Sequence, residues 1–157
     1  MRRGFTMIEL IFVIVILGIL AAVAIPKLAA TRDDAKISKL SANVSTLLSD
    51  AASYYTSQGQ TAWSNANWGQ ITNVELYTDK KGTSSAKDTT ITDGVVYIVA
   101  EPGGDVNSNC FDINVTSDGN MSISKGEVTG NAVCDGAWEV AGDLIKKHSF
   151  GGQRINR

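Results

Sequence analysis

The sequence is poor in the residues from which most catalytic and metal sites are built. Its 157 residues include one histidine, His148, and two cysteines, Cys110 and Cys134. A His-based triad or a thiolate–imidazole metal cage has almost no material here. Two prolines and 15 glycines exclude a collagen-like or proline-rich chain. Charged residues make up 19 %, below the ~25 % usual in soluble domains. The 14 basic and 16 acidic side chains leave a net charge of −2, so there is no general excess for holding nucleic acid. No G-x-S-x-G, P-loop or H-E-x-x-H pattern is present. Carboxylates brought together in space are the one catalytic arrangement left open, and the chain is read as a non-enzymatic protein. Its length suits one ordinary domain.

What the chain does have is a long apolar run. No charge occurs between Glu9 and Lys27. Phe5 to Ile25 is 21 residues, which as a helix is about 31 Å long and matches a bilayer core. Three readings compete. One is a secretory signal with Arg2 and Arg3 as its basic start and Ala22-Val23-Ala24 as its cleavage site. Another is a plain membrane anchor. Both must tolerate Glu9, whose type of side chain costs about 2.5–3.5 kcal/mol at mid-bilayer and less near the interface. Neither gives Glu9 a purpose.

The third reading does. Gly4-Phe5-Thr6-Met7-Ile8-Glu9, behind a short basic leader and ahead of an apolar helix, resembles the class III signal of type IV pilins and type II secretion pseudopilins. The resemblance implies cleavage after Gly4 by a membrane prepilin peptidase and methylation of the new terminus at Phe5. It places the family's glutamate at Glu9, as an assembly contact, and its helix-bending proline at Pro26. The match is dense over residues 2–26; beyond roughly residue 58 only the general layout is similar. Independently of it, a helix starting at Phe5 puts Glu9 near the first turn, where a carboxylate favours the positive end of the dipole. The new α-amine adds positive charge there. A carboxylate in apolar surroundings needs a partner, and a neighbouring chain's amine would serve.

Orientation is not legible from charge. Arg2 and Arg3 precede the span, but Lys27, Arg32, Lys36 and Lys39 follow it. The cysteines are the better guide. A Cys110–Cys134 bridge would contribute about 3.5 kcal/mol on the chain-entropy model and favours an oxidising, periplasmic compartment. Two free thiols are the alternative, and no C-x-x-C pattern is present.

Past Pro26 a polar face opens. Ile37, Leu40, Val44, Leu47, Leu48, Ala51 and Tyr55 recur at three- and four-residue steps, with Gly59 as the expected stop. Burying five large side chains of this stripe is worth about 10 kcal/mol as an upper value, so it must pack on a partner. A sheet from the same chain is the simplest. Strands are expected at Val95–Glu101, Cys110–Thr116 and Asn120–Lys125, with Asp118-Gly119 as the turn between the last two. Trp138–His148 reads either as a short helix or as an extended edge, and Phe150 onward as a tail. The expected fold is α+β, a long N-terminal helix on a small antiparallel sheet. The divisions are a leader at 1–4, a membrane or filament-core helix at 5–26, its amphipathic half at 27–58 and a β-rich head at 59–157.

Other candidate sites are weaker. Asp105, Asn107 and Asn109 alternate like calcium ligands, and some members of the resembled family bind calcium in this domain. Here, however, Cys110 stands where a calcium loop has glycine and Thr116 where it has glutamate. An Asn/Asp-rich turn is the ordinary meaning, and no cofactor is expected. Lys146, Lys147, His148, Arg154 and Arg157 form a basic end that suits DNA or acidic lipid but equally a solvated tail. Trp63, Trp68 and Trp138 read as core or inter-subunit packing.

The resemblance implies a structural subunit of a type IV pilus or type II secretion pseudopilus. Its partners would be copies of itself, other pilin-like subunits, the prepilin peptidase, and an inner-membrane assembly platform with its ATPase. It would sit in the bacterial inner membrane as a single-pass protein with a periplasmic head, and afterwards in a periplasmic or extracellular filament. Two alternatives stand beside it: a minor pilin or competence pseudopilin that binds DNA, and an anchored periplasmic domain that forms no polymer.

Overall fold

A computed structural model describes residues 4–92, 94–104 and 106–151. The chain divides into two compact units, Met1–Ala35 and Lys36–Arg157. Helix α1 is Met7–Ser64 and contributes to both.

In the first unit every described residue from 4 to 35 is solvent-exposed. From Leu10 to Pro26 the helix has no polar face, and its apolar side chains are exposed all round. It is long and apolar enough to cross a membrane. Pro26 lies inside it, where it removes one backbone donor from the ladder. Thr31 Oγ1 donates to the Lys27 carbonyl at 3.0 Å one turn later.

In the second unit the amphipathic stripe behaves as its periodicity predicts. Leu40, Val44, Leu47 and Ala51 are buried, and Ile37, Leu48 and Tyr55 pack against that core. Gly59 interrupts the helix rather than ending it. Its φ of 77° is non-helical, and helix resumes to Ser64. The extra turn carries Trp63, fully buried, whose indole N–H donates to the Thr116 carbonyl at 3.0 Å. Anchoring that ring is what extends the helical segment past the glycine.

The sheet is antiparallel with strands β1 (Val96–Val99), β2 (Asn109–Val115), β3 (Asn120–Lys125) and β4 (Lys147–Ser149), in spatial order β1-β2-β3-β4. The inward set is Val96, Ile98, Phe111, Ile113, Val115, Met121 and Ile123, related by the pairs Val96↔Ile113, Ile98↔Phe111 and Ile113↔Ile123. β1 ends earlier than expected because its register shifts between Ile98 and Val99. The Asp118-Gly119 turn is present, with Gly119 at φ 77° and its N–H donating to Thr116 at 3.1 Å.

The C-terminal region departs most from expectation. Helix α3 is Ala132–Val140, starting before Trp138. Asn131 caps it, its side-chain oxygen accepting from the N–H groups of Val133 and Cys134. A 3-10 turn follows at Gly142–Leu144, and His148 lies on β4. Val140 is 67 % exposed, and the buried face of α3 is Val133, Cys134 and Ala137. Gly136 explains the choice, because a Cβ there would lie 2.5 Å from Ile37 Cδ1. Phe150 is no tail residue either. It packs on Tyr55 and Trp63, and its N–H donates to Gly119 at 2.8 Å.

Between α1 and β1 the chain is organised by short helix α2 (Trp68–Ile71) and isolated bridges, Asn67↔Thr90, Tyr77↔Ser85 and Tyr77↔Tyr97. Disulfide Cys110–Cys134 ties β2 to α3 with Cα atoms 5.0 Å apart. Both expected cysteines are used.

Candidate functional site

The start of α1 is the part of the first unit with distinctive chemistry. Thr6 is the residue before the helix and Glu9 its third position. The Glu9 carboxylate accepts from the Thr6 backbone N–H at 2.8 Å and from the Thr6 hydroxyl at 2.6 Å. Thr6 Oγ1 in turn accepts from the Glu9 N–H at 3.4 Å. This reciprocal pair is a capping box, which satisfies two of the backbone donors that a helix start leaves without partners. Leu10 N–H then donates to the Thr6 carbonyl at 3.2 Å and opens the ladder.

Glu9 thus has a partner beyond the helix dipole and a neighbour's amine, the Thr6 of its own chain. The signal was present, as T-x-x-E directly ahead of an apolar run is the capping-box pattern. One Glu9 oxygen therefore has partners within its own chain. Gly4 and Phe5 precede the helix and are open to solvent, and a Cβ built on Gly4 meets nothing within 4 Å. Cleavage between them would leave the new amine on Phe5, directly before the capping threonine. Arg2 and Arg3 lie outside the described residues.

The remaining candidates fall in the second unit. Asp105 lies outside the described residues. Asn107 accepts from the Asn109 N–H at 3.0 Å; Asn109 is buried and donates its amide to Asp112. Lys146 and Lys147 are exposed, whereas the half-buried His148 has Nε2 2.9 Å from the Leu144 carbonyl. Arg154 and Arg157 lie outside the described residues. Trp63 and Trp68 belong to the core. Trp138 packs against it, with the Lys125 ammonium 5.2 Å from its ring centre.

Unforeseen in the sequence is a loop hub at Asp79–Ser84. Asp79 accepts from the N–H groups of Lys81 at 2.8 Å, Thr83 at 3.0 Å and Ser84 at 2.6 Å. Desolvation works to raise its pKa, but these bonds prevail and hold it at about 2, against an ordinary 3.8. The loop's carbonyls accept from Gly103 and Ser108, and Lys80 pairs with Glu127. That ion pair holds the Lys80 ammonium above its ordinary pKa. Beside the hub is a cleft of about 350 Å³ whose walls include Trp68, Asn73, Glu75, Tyr77 and Lys87.

A long helix with an apolar N-terminal stretch, followed by a four-stranded antiparallel sheet, is an α+β, pilin-like layout. Residues 1–25 match the prokaryotic N-terminal methylation motif, the class III prepilin signal of type IV pilins and pseudopilins. Comparison with curated proteins gives no significant match, and comparison with solved structures gives none either. The motif supports a pilin-like or pseudopilin chain with a structural role. It implies a substrate of the prepilin peptidase that assembles with other pilin subunits. Together with the apolar helix it fits a membrane-anchored protein.

Proposed function

We propose that this chain is a structural subunit of a type IV pilus or type II secretion pseudopilus. It is stored in the membrane through the apolar part of α1, cut after Gly4, methylated at Phe5 and polymerised. The carrying observation is the coincidence of the methylation motif at residues 1–25 with a helix start whose one acidic side chain is held at its cap. In a polymer the exposed apolar helix of one copy gains neighbours of the same kind, and the N–H groups at its start keep an internal partner.

The disulfide supports a head that matures in an oxidising compartment. Placement of the head in the periplasm of a bacterial inner-membrane protein follows from that reading. Work against the membrane falls to a separate ATP-driven machine, since this sequence has no nucleotide-binding pattern.

Intact-mass measurement of the exported protein tests the proposal. The expected species begins at Phe5 and carries one added methyl group. A species beginning at Ile25 would replace the proposal with an ordinary secretory signal, and an uncut chain would replace it with a plain anchor.

A further inference from the structure

The cleft beside α2 is lined by exposed ionic groups of both signs. Lys36 pairs with Glu101 and Lys80 with Glu127, and Asp79 is consumed by backbone N–H groups. Glu75 and Lys87 keep their charged ends exposed at the cleft. Both line the cleft, yet neither forms an ion pair with the other or with any other described residue. The Asn73 side chain, in the same wall, has no hydrogen-bond partner among them either. The charge of Glu75 is nevertheless felt inside. Burial first, then the carboxylates of Glu75 and Asp79, hold the Tyr77 hydroxyl above its ordinary pKa.

The walls are also fixed in place. Gly69 N–H donates to the Lys87 carbonyl at 2.8 Å, and a Cβ on Gly69 would lie 2.6 Å from Lys87 Cγ, so the lysine stem is laid along the glycine. Reciprocal bonds of 3.0 and 2.8 Å between Tyr77 and Tyr97 hold the opposite side to β1. The indole N–H of Trp68, in the same wall, is buried without an acceptor. A cleft of about 350 Å³ is at the small end of ligand sites. It therefore joins one anion, one cation, one amide and two aromatic side chains on a rigid frame.

We infer that this cleft binds a small zwitterion of dipeptide size, its ammonium group facing Glu75 and its carboxylate facing Lys87. Unpaired charges of both signs in one cleft complement a ligand carrying both signs. A plain anion would leave Glu75 opposed, and a plain cation would leave Lys87 opposed. Asn73 offers both a donor and an acceptor to a peptide group between the two ends. This inference is independent of the assembly reading, since it rests on residues 68–87 and their tie to Tyr97.

The test uses the full chain in detergent micelles, with L-alanyl-L-alanine as the probe and Trp68 as the reporter. Saturable change in tryptophan emission is expected in the millimolar range and should vanish in Trp68→Phe, which keeps the ring in the wall. N-acetylation of the dipeptide and Glu75→Gln should each weaken binding about tenfold, the size of one charge-assisted contact. C-terminal amidation and Lys87→Met should do the same. Acetylated dipeptide should bind Glu75→Gln and the parent alike, because the contact is already lost. Equal binding of the blocked and free dipeptides, no saturable response, or a response to cellobiose in place of the dipeptide would each overturn the inference.

Discussion

The ring of Tyr55 occupies the space where a side chain on Gly119 would begin: a Cβ there would lie 2.3 Å from Tyr55 Cε2. Gly119 also sits at φ 77°, so the turn between β2 and β3 needs glycine for two separate reasons. Tyr55 in turn stacks edge-on to Trp63, with ring centres 5.5 Å apart. The close approach therefore connects α1, the β2–β3 turn and one aromatic cluster.

Gly119→Ala should destabilise the second unit by about 2–4 kcal/mol, combining left-handed strain with a steric clash. Gly130→Ala is the matched control. Its φ is 74°, but a Cβ there meets nothing within 4 Å, so about 1–2 kcal/mol is expected from the backbone alone. Denaturant unfolding followed by near-ultraviolet circular dichroism compares them; equal losses would show that contact with Tyr55 is relieved without cost.

Replacing Cys110 and Cys134 together by alanine should cost about 2–5 kcal/mol of stability in the same unit. Both sulfurs are buried and the bridge connects β2 to α3. Membrane insertion should be unchanged, since no residue of the apolar helix is involved. Thiol titration of unfolded, unreduced parent should find no free thiol.

The Thr6–Glu9 capping box makes two substitutions separable. Thr6→Val keeps the shape and loses the hydroxyl, which should cost about 0.5–2 kcal/mol at the helix start. Glu9→Ala removes a carboxylate that is expensive in lipid, so insertion should be unharmed or slightly easier. On the filament-subunit reading, Glu9→Ala should lower filament yield relative to membrane-bound subunit at equal expression. Glu9→Gln shows whether charge or shape is responsible. Polymerisation of Glu9→Ala at the parental level would remove Glu9 from the assembly contacts.

Asp79 defines an acid response. Its folded pKa of about 2 lies below the ordinary 3.8, so its contribution is fully present above about pH 4 and is lost as pH falls toward 2. The parent's stability should decline across that window more steeply than that of Asp79→Asn. Urea midpoints at pH 4, 3 and 2 measure the difference, and parallel declines would mean that the loop bonds carry no protonation linkage.

Much of the architecture was legible because its signals are local. β3 was read with its observed bounds because Asp118-Gly119 marks its start and Met121 and Ile123 alternate with polar residues. The stripe from Leu40 to Ala51 follows one helical period and is buried accordingly. α3 was misplaced because its buried face is short and includes a cysteine and an alanine, while Gly136 reads as a breaker. Its true role, close approach to Ile37, is set by a residue almost a hundred positions away. Thr6 is legible too, as the first position of T-x-x-E ahead of an apolar run. The Asp79 hub and the cleft beside α2 were not legible, because backbone N–H groups and loop crossings leave no periodic trace.

Both margins of the sheet are closed to further strands, each by a different device. On one side Tyr77 takes the outward backbone groups of Tyr97 through bonds of 3.0 and 2.8 Å. On the other β4 stops after three residues and presents Lys147, a short charged border of the kind that resists edge-to-edge growth. Copies of this head packed at high local density therefore have little opportunity to fuse into a shared sheet. On the filament-subunit reading, their order relative to one another would be imposed by side chains and by the helices that carry them.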